Sequence, residues 1–167
     1  MTKTTDRTNV MTGDEIRIGM DAVLTSLPAV HVLAGQDDAR LVVGPVGAFV
    51  LVPSAVGRQE LIAASLRLEQ LAATTREALC AHLAWIPFLD GLIVTSDDPP
   101  RSLHITSAAL DLLPTVLTEG PRVIDAATIA TIRDVIRRSA LDGWQAGIRR
   151  GDGKIDLCDP VQPTTAH

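Results

Sequence analysis

The chain contains no tyrosine and only two phenylalanines and two tryptophans in 167 residues, so aromatic side chains are 2% of it. That scarcity removes the platforms on which unpaired bases are stacked and read. Positive charge is short as well: 15 Lys and Arg stand against 20 Asp and Glu, a net charge of −5. A nonspecific polyphosphate binder presents a concentrated basic face, so nucleic acid is disfavoured as a partner for the chain as a whole. The two cysteines, Cys80 and Cys158, lack the close spacing of a metal pair and read as a reduced core thiol and a tail thiol. Long apolar runs are absent too. The longest, Leu41 to Pro53, is interrupted by Gly44, Pro45 and Gly47 and falls short of the about 20 residues a spanning helix needs. Met1 to Thr12 is polar and Thr-rich, without the apolar stretch of a secretory signal. The expectation is a cytoplasmic protein with no membrane span.

What the chain does have is a 46% apolar content, ample for one core in a domain of this length. The organisation read from it is a flexible arm at 1–12, one domain at 13–142, and a tail at 143–167 that is basic and then disordered. From Gly151 onward Gly, Asp, Pro and Thr dominate. Ile16, Met20, Val23, Leu24 and Leu27 recur at helical spacing, which predicts an amphipathic helix from Asp14 to Leu27, ended by Pro28. Strands follow at Ala29 to Leu33, Arg40 to Val43 and Ala48 to Val52. The last two are joined by Gly44-Pro45-Val46-Gly47, a tight reversal in which Pro presets one turn position and the glycines relieve steric limits. Both are apolar on successive residues, so an antiparallel hairpin buried on both faces is expected.

Arg58 to Leu83 repeats Leu61, Ala64, Leu68, Leu71, Ala78 and Leu79 at three- and four-residue steps and predicts a long helix. A strand at Leu89 to Thr95 closes on the turn cluster Ser96-Asp97-Asp98-Pro99-Pro100. Leu103 to Ile105 is read as a short edge strand, Ser107 to Leu117 as a helix divided or kinked at Pro114, and Ala126 to Ser139 as a final helix capped by Asp125. The result is an α/β fold with a mixed central sheet, in the order α-β-β-β-α-β, with flanking helices. Such an arrangement hosts many activities.

Leu41-Val42-Val43-Gly44-Pro45-Val46-Gly47-Ala48-Phe49-Val50-Leu51 resembles the central hairpin of nuclease-related (NERD-like) domains, and the resemblance extends over roughly Ile16 to Arg138. It implies a restriction-endonuclease-like core. Active members start the second strand with an Asp and end the third with an acidic-x-Lys triplet. The two carboxylates hold Mg²⁺, and the Lys orients or activates the attacking water. Aligned through Gly44-Pro45 and Phe49, those positions fall on Ala39, Val52 and Ser54, which cannot supply that chemistry. The insertion that follows the Lys in the family, building one side of the substrate cleft, is nearly absent, since the long helix begins at Arg58. What the resemblance implies is therefore a domain without catalytic residues, resident metal or cofactor.

The alternative is a metal-dependent nuclease with a rearranged site, using Asp38, Glu60 and either Glu15 or Asp21. Against it, a one-residue offset within a strand points Asp38 to the opposite face from position 39. Asp37-Asp38 also fits a solvated turn, and Glu60 a helix N-terminus where negative charge is favourable. His31, His82 and His104 are isolated and give no metal-ligand spacing. No Gly-x-Ser-x-Gly elbow or phosphate loop is present. The local exception to acidity lies near the C-terminus, where Arg133, Arg137, Arg138, Arg149, Arg150 and Lys154 surround Trp144. Positive charge and a large aromatic coincide only there, so Trp144, Arg149 and Arg150 are the candidate binding residues, toward a protein partner of unknown identity. A third reading is a structural subunit that forms a homodimer through exposed apolar surface.

Overall fold

The computed structural model describes residues 10–81, 83, 89–97, 106–139, 145–149 and 155–157, with 139 and the last two segments as backbone only. Helix α1 (Gly13–Ser26) opens at Thr12 with a capping box: the Thr12 hydroxyl accepts from the Glu15 N–H, and the Glu15 carboxylate accepts from the Thr12 N–H at 2.7 Å. Its stripe of Ile16, Met20 and Leu24 is fully buried. Three strands follow as an antiparallel meander, β1 (His31–Gln36), β2 (Ala39–Gly44) and β3 (Gly47–Pro53). The reversal between β2 and β3 pairs Gly44 with Gly47, and every residue of both strands is buried, as the unbroken apolar runs require.

The long helix α2 (Arg58–Cys80) then returns the chain to β4 (Leu89–Thr95), which lies parallel to β3, as a crossover connection dictates. A short β5 (Ser107–Ala109) pairs parallel with β4, and helices α3 (Leu113–Thr118) and α4 (Ala126–Ser139) follow. Two further strands, β6 (Gln145–Arg149) and β7 (Ile155–Leu157), extend the sheet beyond β1 in the order β5-β4-β3-β2-β1-β6-β7.

The sheet separates two packed layers. Residues Val42, Phe49, Leu51, Leu92 and Val94 face α1 and α3, with Leu113 and Leu117 from α3 completing that cluster. The alternate residues Ala39, Leu41, Val43, Val50, Val52 and Ile93 face α2 and α4, against Leu61, Leu68, Leu79, Ile132 and Ile136. This is the α/β arrangement with a mixed sheet and flanking helices that the order of elements predicts. No described helix is long and apolar enough to cross a membrane.

Three local expectations need correction. Ser107 does not begin a helix; 107–109 is a strand, because the ladder with β4 overrides the weak helical preference of Ser-Ala-Ala. Pro114 accordingly sits in the first turn of α3, where its missing N–H costs nothing, and does not kink a longer helix. The tail from Gly151 onward, read as disordered, contains β7, which pairs with β6 on the edge of β1. Cys80 is exposed at the end of α2, one residue past the buried Leu79, and is no core thiol. The proposed strand at Leu103 to Ile105 lies outside the described residues.

Candidate functional site

The β2–β3 ladder runs from Gly44 opposite Gly47 to Arg40 opposite Leu51. One step further brings Ala39 across from Val52, and strand alternation keeps Ser54 on the same face as Val52. The three positions at which the family resemblance expects metal-binding and catalytic side chains are thus neighbours, at one end of the hairpin and on its α2 face. They are sealed. Ala39, Val52 and Ser54 are 0%, 1% and 4% exposed, and the first two belong to the cluster that includes Leu61, Ala64 and Leu68 of α2. Ser54 spends its hydroxyl locally, donating to the Ala55 carbonyl at 2.9 Å, while its N–H bonds the Val94 carbonyl.

The four carboxylates of a rearranged site do not converge. Asp21, on α1, accepts from Arg40 Nε at 2.9 Å and from a terminal nitrogen of the same guanidinium at 2.8 Å, a bidentate pair, with Arg17 3.8 Å away. Asp38 pairs with Arg67 of α2, on the other side of the sheet. Glu15 serves the Thr12 capping box, and the Thr12 N–H, followed by its hydroxyl, holds the Glu15 carboxyl below its ordinary value. Glu60 is exposed in the first turn of α2 and folds back over Gly57, where an added Cβ would collide with its carboxylate. Among the described residues, no group of three His, Cys, Asp or Glu side chains is placed to hold a metal ion.

Two arginines that sequence reasoning passed over organise this end of the molecule. Arg40 lies in β2 and is 5% exposed; besides Asp21 it donates to the carbonyls of Asp37 and Ala39, at 3.0 and 2.8 Å. Arg67 reaches from α2 to Asp38, to the Gln36 carbonyl at 2.9 Å and to Asp37 at 3.5 Å. The β1–β2 turn is therefore pinned from both faces of the sheet. Asp37 takes a positive φ of 50°, a conformation that Asp tolerates better than most residues. The available signal was Arg40 itself, a lone charge in an apolar strand that must be paired if buried.

The opposite end of the hairpin is open. A groove of about 600 Å³ there is lined by Ala29 and His31 ahead of and at the start of β1, Pro45 of the β2–β3 turn, and Arg122, Asp125 and Thr128 around the start of α4. Asp125 caps α4 by accepting from the Thr128 N–H at 2.7 Å, and that bond, ahead of the Thr128 hydroxyl, lowers its carboxyl from the ordinary value. His31 is half-buried in this wall; His82 and His104 lie outside the described residues. Asp97 contributes its carbonyl to the Thr95 hydroxyl at 2.7 Å, as a turn residue does.

Of the basic cluster, Arg133, Arg137 and Arg138 are exposed on α4. Arg149 ends β6, its backbone paired with Ile155, whereas Trp144, Arg150 and Lys154 lie outside the described residues. Comparison with known proteins finds no family model, no curated protein and no solved structure that matches this chain.

Proposed function

We propose that the chain is a NERD-like domain with a restriction-endonuclease-like core that has lost nuclease chemistry and serves as a binding or regulatory module. One observation carries this reading: the three positions aligned with the family's Asp, acidic and Lys residues lie together on one face at one end of the hairpin, yet hold a buried Ala39, Val52 and Ser54. Their adjacency follows from the hairpin register and is compatible with the alignment. Their side chains support the loss, because two-carboxylate metal chemistry has no donor there. The topology is compatible with such a core: one helix, an antiparallel three-strand meander, a crossover helix, and a fourth strand parallel to the third. The rearranged-site alternative gains nothing from the geometry, since Asp21 and Asp38 are neutralised by different arginines on opposite faces.

The partner side is carried by the C-terminal region with Trp144, Arg149 and Arg150, which follows the exposed arginines of α4 in the sequence and suits a protein with an acidic surface. The catalytic half is tested with the purified full chain, Mg²⁺ or Mn²⁺, and single- and double-stranded DNA and RNA. All four substrates should remain intact. Cleavage that disappears in Asp38→Ala or Glu60→Ala would overturn the reading in favour of the rearranged nuclease.

A further inference from the structure

Helix α2 turns Leu61, Ala64, Leu68, Leu71, Thr75 and Leu79 inward, which settles that face. Its outer face carries two large aliphatic residues one turn apart, Ile62 at 44% and Leu66 at 65% exposure, flanked by exposed Ala63 and Ala73. Single exposed aliphatics are ordinary. This pair differs in what brackets it: Arg58 one turn before Ile62 and Glu69 three residues after Leu66, both exposed and neither in an ion pair with any described residue.

From this pattern we infer that the outer face of α2 docks antiparallel on the same face of a second copy of the chain. A two-fold axis passing between residues 62 and 66 seats Ile62 against Leu66 of the second copy, and Leu66 against its Ile62. The same operation places Gln59 opposite Glu69, so that Arg58 lies within one residue of facing Glu69, twice per dimer. A parallel arrangement would instead oppose Arg58 to Arg58 and Glu69 to Glu69, which costs energy. The charge pattern is therefore self-complementary in the antiparallel direction, which suits a second copy and fixes its direction. Ala63, within the overlap of the two helices, presents no bulk, which permits the 8–10 Å approach of packed helices. The 23-residue helix is about 34 Å long, and the apolar stripe covers only its first half, less than the roughly 800 Å² per partner of a standard interface. The dimer is accordingly weak and reversible.

Sedimentation equilibrium of the full chain, from about 1 μM to about 1 mM, tests this. The expected result is a concentration-dependent monomer–dimer equilibrium. Leu66→Glu should raise the dissociation constant at least about 10-fold, since it buries a carboxylate against Ile62 of the other copy. Arg58→Glu and Glu69→Arg alone should each weaken association by about 5-fold, from like charges at two symmetry-related places, and the double reversal should return it to within about 2-fold of the parent. Both charged residues are exposed, so that comparison stands whatever Leu66→Glu does to folding. A chain that stays monomeric throughout the range overturns the inference, as does a double reversal no tighter than either single variant.

Discussion

Arg40 and Arg67 perform one task from opposite sides of the sheet, and they differ mainly in burial. Each ties a helix to the β1–β2 turn through a carboxylate and at least one backbone carbonyl. The Arg40 side chain is 6% exposed and meets Asp21 in two parallel hydrogen bonds, whereas the Arg67 side chain is 31% exposed and its partner Asp38 36%. Asp21 is 27% exposed, so water reaches one member of the first pair but hardly its guanidinium, and both members of the second. Removing one member of a buried pair strands the other in a medium that cannot solvate it, while an exposed pair dissolves into solvent at little cost. The difference also bears on function. Asp21 and Asp38, two of the carboxylates a rearranged site would use, are each consumed, on separate faces, in holding the turn.

Packing sets the upper end of the scale against which these pairs are measured. Phe49 is 7% exposed on the α1 face, and Phe49→Ala should destabilise by about 3–5 kcal/mol in a denaturant titration. A loss below about 1 kcal/mol would deny the hairpin its place in the core and remove the alignment that rests on it. Next come the two clamps. Asp21→Ala, which leaves the Arg40 guanidinium half-satisfied, should cost about 2–3 kcal/mol, and Arg67→Ala no more than about 1 kcal/mol. Added salt should erode the second effect more than the first. Equal costs would mean that burial does not separate them.

The smallest expected effect is at the helix caps, which are exposed. Glu15 and Asp125 both have carboxyls lowered on folding by hydrogen bonds to Thr12 and Thr128. A group whose folded value is depressed stabilises fully above the unfolded value and loses that contribution as pH falls through the folded one. Acid titration of thermal stability should therefore show a loss confined to the carboxylate range and lower, and Asp125→Asn should flatten part of it. A profile unchanged by that substitution would remove the cap from the account.

The hairpin was legible because both of its strands are apolar on successive residues, and α2 because its leucines return at helical steps, signals carried within each segment. β5 was not, since Ser107-Ala108-Ala109 has no pattern of its own and becomes a strand only by lying beside β4. The same holds for β6, whose Gln-Ala-Gly-Ile-Arg sequence is placed by the free edge of β1. The vacancy that the family resemblance implies at Ala39, Val52 and Ser54 rests on an alignment through Gly44-Pro45 and Phe49; the burial of all three positions was not legible in the sequence. The clamp partners lie 19 and 29 residues apart, beyond any local periodicity, and only the fold brings them together.

A Mn²⁺ titration of the full chain, followed by the electron paramagnetic resonance signal of the free ion, tests the proposed loss of metal chemistry most directly. The account predicts no stoichiometric site: the free-ion signal should rise with total Mn²⁺ as in buffer, apart from weak surface association that moderate salt abolishes. One equivalent of bound Mn²⁺ that survives salt and is lost in Asp38→Ala or Glu60→Ala would contradict it, and would mean that the carboxylates near the sealed positions had been assembled into a working site after all.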